Sequence, residues 1–465
     1  MATITAGMSS DTATYQGDWP PTQQPSIYHL PVYYAPALQQ PTYRNVLDGY
    51  AIPALIQIYT IVSLILFAGG MLPLLMGNQE GELFAQSSTK VQYIFLAIYG
   101  ISFICSLPYL RQILSIARQM HYLIALVLWV CVSALWSFAP EISLRRALAI
   151  IGAAYFGLFF SVRYSLKEQL KLLAIAFGLI IILNYLFVYL WPEYGLMHSM
   201  QHVGSWKGIF RHKNLLSRIS AFATCLVLLY AYNSPRTRGL AVIFALLAVV
   251  QVYYSNSLGG VLILLGLLAI IFPMRYALPR LNSSSIALYL TALCYSVALS
   301  LFVAWNIETI IALINLDTAT IIGRFEIWRI IWQSIKEVFW LGYGFNAFWL
   351  GWDGPARNVW LATTWSAPHA HNSLLDVWLE LGIIGVTIFL VGFGNVFRKA
   401  VAYAQGAQGA QNPANLLPLA FLVFFALSML PESVILQSND IYWVLYVAIT
   451  ASLLKVQQDA EGLAQ

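Results

Sequence analysis

Charged residues are scarce in this chain of 465 residues: Asp, Glu, Lys and Arg make up 9% of it, whereas hydrophobic residues make up 60%. That balance excludes a soluble globular protein, in which about a quarter of the residues are charged. The net charge of +5 is too small to argue for nucleic acid as a partner. The composition therefore predicts an integral membrane protein.

Redox, nucleotide and leader motifs are also missing. The four cysteines lie singly within apolar stretches without C-x-x-C spacing, which is typical of packing residues. The absence of a P-loop and of a dinucleotide fingerprint argues against ATP as a direct substrate. Residues 1–45 are polar and rich in Pro, Gln, Thr and Tyr, so we expect a disordered cytoplasmic tail there and no cleavable secretory signal.

Long apolar runs recur along the rest of the chain, and most could cross about 30 Å of hydrocarbon as helices. Residues 239–274 carry no charge, which is too long a run for one span, and the turn over 255–260 divides it. We predict an all-α polytopic membrane protein of about twelve transmembrane helices. The runs are 51–77, 91–110, 121–139, 147–162, 172–192, 219–233, 240–255, 258–274, 284–305, 374–396, 416–431 and 438–454.

The basic residues between these runs predict the orientation, because cytoplasmic loops are enriched in Lys and Arg. With the N-terminus inside, thirteen of the 24 Lys and Arg residues fall inside, and most of the others crowd into outer segments near 145, 207–218 and 324–357. Five of the seven histidines fall on that outer side as well. We predict nine helices within 46–304, a large outer loop over 305–372, three helices within 373–456 and a cytoplasmic tail over 457–465.

The outer loop carries the period of an amphipathic helix. Its apolar stripe is predicted to consist of Phe325, Trp328, Trp332, Ile335 and Phe339, with polar side chains opposite. Such a helix is expected to lie on the outer leaflet with its aromatic rings at headgroup depth. A Trp-rich stretch follows over 349–365, and it suits either membrane anchoring, which is the commoner role, or sugar stacking.

Two histidines, His369 and His371, stand in a polar loop just before the apolar run at 374–396. Histidine exchanges protons near neutral pH. Packing alone hardly explains the presence of histidines at the end of a membrane-spanning segment. His371-Asn372 is followed by nine residues and then by Gly382-Ile383-Ile384-Gly385. This pattern predicts proton-transfer chemistry at the outer membrane surface.

Four segments in order resemble the O-antigen ligase and Wzy-type polysaccharide polymerase superfamily, and within it the ExoQ-like exopolysaccharide polymerases. The His371 segment matches the family's outer-loop signature of His, then Asn, Ser or Gln, nine residues and Gly-x-x-Gly. The other segments are the Trp-Ser…Pro…Arg element at 136–146, Gly-x-Phe-x-His-Lys-Asn at 208–214 and the Arg-containing entry to the loop at 323–328. The turn at 255–260 lacks the basic residue that family members often place there, which leaves Arg211 or Lys213 to supply a phosphate contact.

The resemblance implies a glycosyltransferase that polymerises undecaprenyl-pyrophosphate-linked repeat units into exopolysaccharide at the periplasmic face of the bacterial inner membrane, without a cofactor or metal. Its expected partners are that lipid-linked glycan, the growing polysaccharide acceptor, membrane lipid, a chain-length regulator and a flippase. An O-antigen ligase acting on lipid A-core and a protein O-oligosaccharyltransferase remain open alternatives. A transporter is disfavoured, because the helices hold few midplane charges and no matching pair of broken segments.

Such a reaction needs cations for the leaving pyrophosphate and a base for the attacking hydroxyl. The guanidinium group stays charged and grips phosphate oxygens in a bidentate fashion, so Arg324 is the first candidate for the clamp. His371 is the leading candidate for the base, and Asp376 is too poorly spaced from it to predict a His–Asp dyad. The further substrate-binding candidates are Arg211, Lys213, Arg145, Arg146, Asn372 and His369.

Each of these residues also has a plainer interpretation. The arginines could pair with phospholipid headgroups or anchor a helix end, and His371 could cap a helix or sit at the interface. His198 and His202 have i, i+4 spacing and could join His369 and His371 around zinc. The pattern lacks a cysteine or carboxylate ligand, so no metal site is predicted.

Overall fold

The computed structural model describes residues 51–76, 89–200, 202–233, 235–277, 318–363, 366–406 and 413–462, and these residues are almost entirely helical. Strand-like pairing within these ranges consists of one isolated bridge between Leu196 and Trp206. The helices are α1 Ala51–Phe67, α2 Leu72–Met76, α3 Thr89–Ser106, α4 Leu110–Gln119, α5 His121–Val132, α6 Pro140–Arg163, α7 Leu166–Leu190, α8 Pro192–Gly195, α9 Lys213–Asn233, α10 Arg238–Tyr254, α11 Leu258–Ala277, α12 Thr318–Glu337, α13 Arg357–Ala362, α14 Ser373–Gln405, α15 Leu417–Met429 and α16 Ile441–Gly462.

The prediction of an all-helical membrane protein is confirmed in outline. Helices occupy eleven of the twelve predicted apolar runs, whereas the run at 284–305 and the tail at 1–45 lie outside the described residues. By length and composition, 5 described helical segments could each cross a membrane. These are Thr89–Gln119, Pro140–Arg163, Leu166–Leu190, Lys213–Tyr232 and Ser373–Gln405. The number twelve and the sidedness of the loops stay predictions.

Small residues let the helices of the core approach closely. A Cβ on Gly157 of α6 would come within 2.7 Å of the Val444 carbonyl oxygen of α16. The Trp443 indole spans the same contact, donating from Nε1 to the Ile150 carbonyl at 2.9 Å. Close backbone approach at small residues is the usual way in which membrane helices gain packing energy. Helix α16 is therefore packed tightly against α6, and this packing fixes the position at which the preceding loop joins α16.

A buried amide network joins α7, α9 and α10. Asn184 donates to Gln251 Oε1 at 3.0 Å, and the Ser220 hydroxyl donates to the same oxygen at 2.9 Å. The Asn184 Oδ1 atom accepts from the Ile209 backbone N–H at 3.0 Å. Because buried polar groups are costly unless they are paired, this network fixes the segment that enters α9 relative to three helices.

Helix α14 is interrupted at Gly382, which has φ 67° and ψ −176°. A side chain at this position would collide with the Trp340 carbonyl, so glycine is required both for the conformation and for the close approach. The segment after α12 satisfies the groups that the interruption frees: Tyr343 N–H donates to Leu379 O at 2.7 Å and Ile383 N–H donates to Phe339 O at 3.0 Å. The Gly-x-x-Gly element of the sequence is thus the place where this segment docks onto the helix.

The predicted amphipathic helix exists as α12, and the face that it buries in the protein shares Ile335 with the predicted apolar stripe. The stripe buried in the protein is Ile327, Ile331 and Ile335, whereas Trp332 is exposed. Isoleucines four residues apart form a continuous aliphatic face that packs onto α13 and α14, and Trp328 and Phe339 pack against the same cluster. The position of this helix at the outer leaflet stays a prediction.

Candidate active site

The loop that carries the two histidines is shaped by its own backbone and by the start of α14. His371 has a left-handed φ of 50°, and its N–H donates to His369 Nδ1 at 3.1 Å. The next residue, Asn372, caps α14 by accepting from Leu374 N–H at 3.1 Å and from Leu375 N–H at 3.2 Å. Asn is a favoured N-cap residue. Asn372 therefore orients His371 through the backbone, and its contact with substrate stays a prediction.

Asp376 supports this loop from the first turn of α14. Its carboxylate accepts from the Ala370 N–H at 3.1 Å and from Trp349 Nε1 at 2.7 Å, and the Ser433 hydroxyl also donates to it. On the other side of the loop, Trp328 Nε1 of α12 donates to the Ala370 carbonyl at 2.8 Å. The hydrogen bonds of Asp376 thus hold the histidine loop in place, and they run to groups other than the His371 ring.

The carboxylate that faces the histidines belongs to Glu432, in the loop between α15 and α16. Its side chain is 5% exposed, and its Oε2 atom lies 3.7 Å from His371 Nδ1 and 3.7 Å from His369 Nε2. The two imidazole rings pack together with centroids 4.1 Å apart. The Arg218 NH1 atom, on α9, lies 3.8 Å from the same oxygen.

The other carboxylate oxygen of Glu432 is approached from two further elements. Asn214 Nδ2 of α9 donates to Oε1 at 3.0 Å, and Arg324 NH2 of α12 lies 3.9 Å from it. One buried acidic side chain therefore joins residues from α9, α12, the histidine loop and the α15–α16 loop. This junction is the candidate active site.

Glu432 is held in its ionised form. Burial alone would raise the pKa of its carboxyl group, but the positive charge of Arg218, together with His371 and His369, outweighs burial and holds the pKa well below its ordinary value. A charged carboxylate in a buried place is tolerated because so many cationic and polar groups surround it.

Lys213 adds a third basic side chain to the two arginines at this junction. Lys213 lies close enough to Arg324 for their charges to interact, and its Nζ atom donates to the Asn256 carbonyl at 2.6 Å. Asn256 belongs to the turn at 255–260 that lacks a basic residue of its own. Arg218, Arg324 and Lys213 thus supply three cations around the Glu432 carboxylate, even with both histidines neutral. An anion with several charges would be attracted here.

The remaining predicted residues are Arg211, which lies close to the start of α9, and Arg145 and Arg146, which lie on α6. Arg211 is half-buried just before α9, two residues from Lys213. Arg145 is exposed near the start of α6, and Arg146 interacts electrostatically with Glu380 of α14. The structure thus brings His369, His371 and Arg324 together on Glu432, whereas Arg146 interacts with Glu380 and Arg145 is exposed on α6. The binding roles of these residues stay predictions.

The four histidines considered as zinc ligands from the sequence do not form one cluster with each other in the structure. His198 Nε2 lies 3.1 Å from the Glu193 carbonyl oxygen, and the His202 ring lies beside His212 at 6.0 Å. Among the described residues, His369, His371 and Glu432 have ligand atoms within 4.8 Å of one another. Two arginines contact the same carboxylate within 3.9 Å, and their charges oppose a divalent cation there.

Glu432 and Arg218 were missed by the sequence interpretation. Between Lys399 and Lys455 the only charged residues are Glu432 and Asp440. These two acids in an otherwise uncharged stretch were the available signal. Arg218 stands in α9, a helix long and apolar enough to cross a membrane, where an ionisable side chain is expensive and is commonly functional.

Two comparisons with known proteins bear on this site. Residues 240–390 match a family model described as O-Antigen ligase. The chain is also 23% identical over 318 residues to the exopolysaccharide production protein ExoQ of Rhizobium meliloti (strain 1021), which covers 66% of this chain and 71% of that protein. These matches confirm the resemblance to the O-antigen ligase and Wzy-type superfamily and to ExoQ-like proteins. Arg324, His369 and His371 lie within the family match, whereas Arg218 and Glu432 lie outside it.

Proposed function

We propose that this relative of the O-antigen ligases and of ExoQ is a membrane glycosyltransferase that polymerises undecaprenyl-pyrophosphate-linked oligosaccharide repeat units into exopolysaccharide. The observation that carries the proposal is the convergence of His371, Arg218 and Arg324 on Glu432, with distances of 3.7 to 3.9 Å. This convergence supports the proposal, because glycosyl transfer from a pyrophosphate donor needs a proton acceptor and a cluster of cations, and an imidazole beside two arginines offers both.

In the proposed reaction Arg324 and Arg218 bind the pyrophosphate of the donor, with Lys213 adding a third positive charge. A hydroxyl group of the acceptor sugar attacks the anomeric carbon, and His371 takes the hydroxyl proton. The new glycosidic bond forms as the bond from the anomeric carbon to the pyrophosphate oxygen breaks. Undecaprenyl pyrophosphate leaves with both electrons of that bond, and the arginines stabilise its negative charge.

The proposal places this site at the periplasmic face of a bacterial inner membrane, with both termini in the cytoplasm. A flippase would deliver the donor, a chain-length regulator would control the product, and no metal ion or cofactor would be needed. An O-antigen ligase and a protein O-oligosaccharyltransferase use the same donor chemistry and differ in the acceptor. They therefore remain the alternatives, while a transporter would not need a base beside the cations.

The decisive experiment is to purify the full chain in detergent and supply an undecaprenyl-pyrophosphate-linked repeat unit alone. The proposal expects release of undecaprenyl pyrophosphate together with products of two or more repeat units. Release only after addition of lipid A-core or of a protein acceptor would identify one of the alternative transferases. Absence of release with every acceptor, from a folded protein, would overturn the proposed function.

A further inference from the structure

We propose that Glu432 is the positioning residue of the catalytic histidine, and that it couples this histidine to the arginines that bind the donor. The inference rests on the proposed function and adds a residue from outside the family-matched segment. It is carried by the geometry of one buried carboxylate whose oxygens face His371, Arg218 and Arg324 within 3.9 Å.

The carboxylate approaches a specific nitrogen of the histidine. Glu432 Oε2 lies 3.7 Å from Nδ1 of His371, so Nε2 is the ring nitrogen on the far side from the acid. A carboxylate at Nδ1 favours the tautomer that carries its proton there and leaves the Nε2 lone pair to accept a proton. Catalytic hydrogen bonds are often long before substrate binds and shorten in the complex. Glu432 can therefore set both the orientation and the basicity of His371.

The distances between Glu432 and the two arginines are long enough for the guanidinium groups to leave the carboxylate and bind substrate instead. Arg218 and Arg324 lie 3.8 and 3.9 Å from the carboxylate oxygens, whereas a closed ion pair measures about 2.7–2.9 Å. Phosphate oxygens can therefore attract both guanidinium groups away from Glu432. The carboxylate then acts on His371 with less competing positive charge, and the base becomes stronger once the donor is bound.

The loop that carries Glu432 is held by other groups. The Ser373 hydroxyl donates to the Glu432 carbonyl at 2.6 Å and accepts from Val434 N–H at 2.8 Å. Ser433 donates to the Asp376 carboxylate. The backbone of this loop thus keeps its anchors when the Glu432 side chain is changed. A glutamine at position 432 can still accept from Asn214, which lies 3.0 Å from Oε1.

The test compares the pH profile of undecaprenyl pyrophosphate release for wild-type protein and Glu432→Gln. Loss of the negative charge lowers the pKa of the base, so the acid limb of kcat moves to lower pH by about one unit. The kcat value falls by roughly 10²- to 10⁴-fold because the tautomer is no longer fixed. The KM for the donor does not rise, because the arginines keep their charge and lose a competing anion.

The other charges around His371 stay constant in this comparison. They are His369 on its own loop, Arg218 and Lys213 on α9, Arg324 on α12 and Asp376 on α14. Glu326→Gln is the matched control, since it removes the same charge from the exposed face of α12, two residues from Arg324. The kcat value of Glu326→Gln and the acid limb of its pH profile should match those of the wild type.

Glu432→Asp keeps the charge and shortens the side chain. It should lower kcat while leaving the acid limb in its wild-type position. The positioning role would be refuted if the acid limb of the kcat–pH profile stayed in place in Glu432→Gln. It would also be refuted if that limb moved equally in Glu432→Asp. If Glu432→Gln fails to fold, Glu432→Asp is the deciding variant. It keeps the negative charge, so a shift of its acid limb in the pH profile of kcat would refute the positioning role. A wild-type protein that releases no undecaprenyl pyrophosphate would instead contradict the proposed function itself.

Discussion

Lys213 reaches across from the start of α9 to Asn256, donating from Nζ to its carbonyl oxygen at 2.6 Å. The turn at 255–260, which has no basic residue in its sequence, thereby receives a cation from another helix. Lys213 also lies close to Arg324. A basic residue missing from one position of a motif can thus be supplied by a residue some forty positions away.

Replacement of Lys213 by methionine should weaken donor binding, because it removes one of three cations and keeps most of the side-chain volume. We expect the KM for the lipid-linked donor to rise by about tenfold, which corresponds to about 1.4 kcal/mol. The kcat value should change less than the KM. Lys213→Arg, which keeps the charge, is the control, and an unchanged KM in Lys213→Met would contradict a role in binding.

Replacement of His371 by alanine should lower polymer formation by roughly 10²- to 10⁴-fold, the range expected when a general base is lost. The protein should remain inserted and abundant. Because His371 has a φ of 50°, which asparagine tolerates better than most residues, His371→Asn separates loss of the base from backbone strain. Polymer at the wild-type level in both variants would exclude the proposed role.

Arg324→Ala should impair use of the lipid-linked donor more than Arg324→Lys does. Charge is the main contribution of a phosphate clamp, and the planar fork of arginine adds to it. Initial rates at several donor concentrations measure the difference. The idea would fail if both variants kept full activity.

Activity should survive EDTA. The ligand atoms of His369, His371 and Glu432 lie within 4.8 Å of one another, but the arginines at the same carboxylate disfavour a divalent ion. Rates measured with EDTA, with and without added Zn²⁺, test this expectation. Inactivation by EDTA that zinc reverses would replace the base mechanism with a metal site.

Topology can be tested by labelling single cysteines in a cysteine-free background with a membrane-impermeant maleimide. Asn358, in the loop predicted to lie outside, has an exposed side chain and suits this experiment. In cells with a permeabilised outer membrane, Asn358→Cys should be modified and Gly406→Cys should be spared. The reverse pattern would place His371 in the cytoplasm, away from a flipped donor.

Local signals in the sequence were enough to predict the helices and part of the site. Apolar runs indicated where the chain is helical, and the polar loop ahead of one run singled out His371. The predicted stripe of α12 was expected to face the membrane, whereas Ile327, Ile331 and Ile335 pack on the protein, and of these Ile335 alone belonged to that stripe. Hydropathy patterns do not distinguish these two faces.

Glu432 could not have been placed by the same reasoning. It is singled out by its neighbours at positions 214, 218, 324, 369 and 371, which the packing of α9, α12 and α14 brings together. Sequence spacing describes neighbours within one helix, and it carries no information on contacts between distant segments. The poor spacing of Asp376 correctly argued against a dyad, and the acid that does face His371 lies 61 positions further along the chain.

The interruption of α14 at Gly382 has a mechanical consequence. Residues 373–381 are hydrogen-bonded to the segment after α12 through Leu379 and Tyr343, and Trp129 Nε1 of α5 donates to the Leu381 carbonyl at 2.9 Å. The first part of α14 is therefore fastened sideways to its neighbours, and its continuous connection with the rest of the span is lost at Gly382. We therefore expect tilting or bending of residues 383–405, as a bilayer changes thickness, to be taken up at Gly382 and to leave the distance between His371 and Glu432 unchanged.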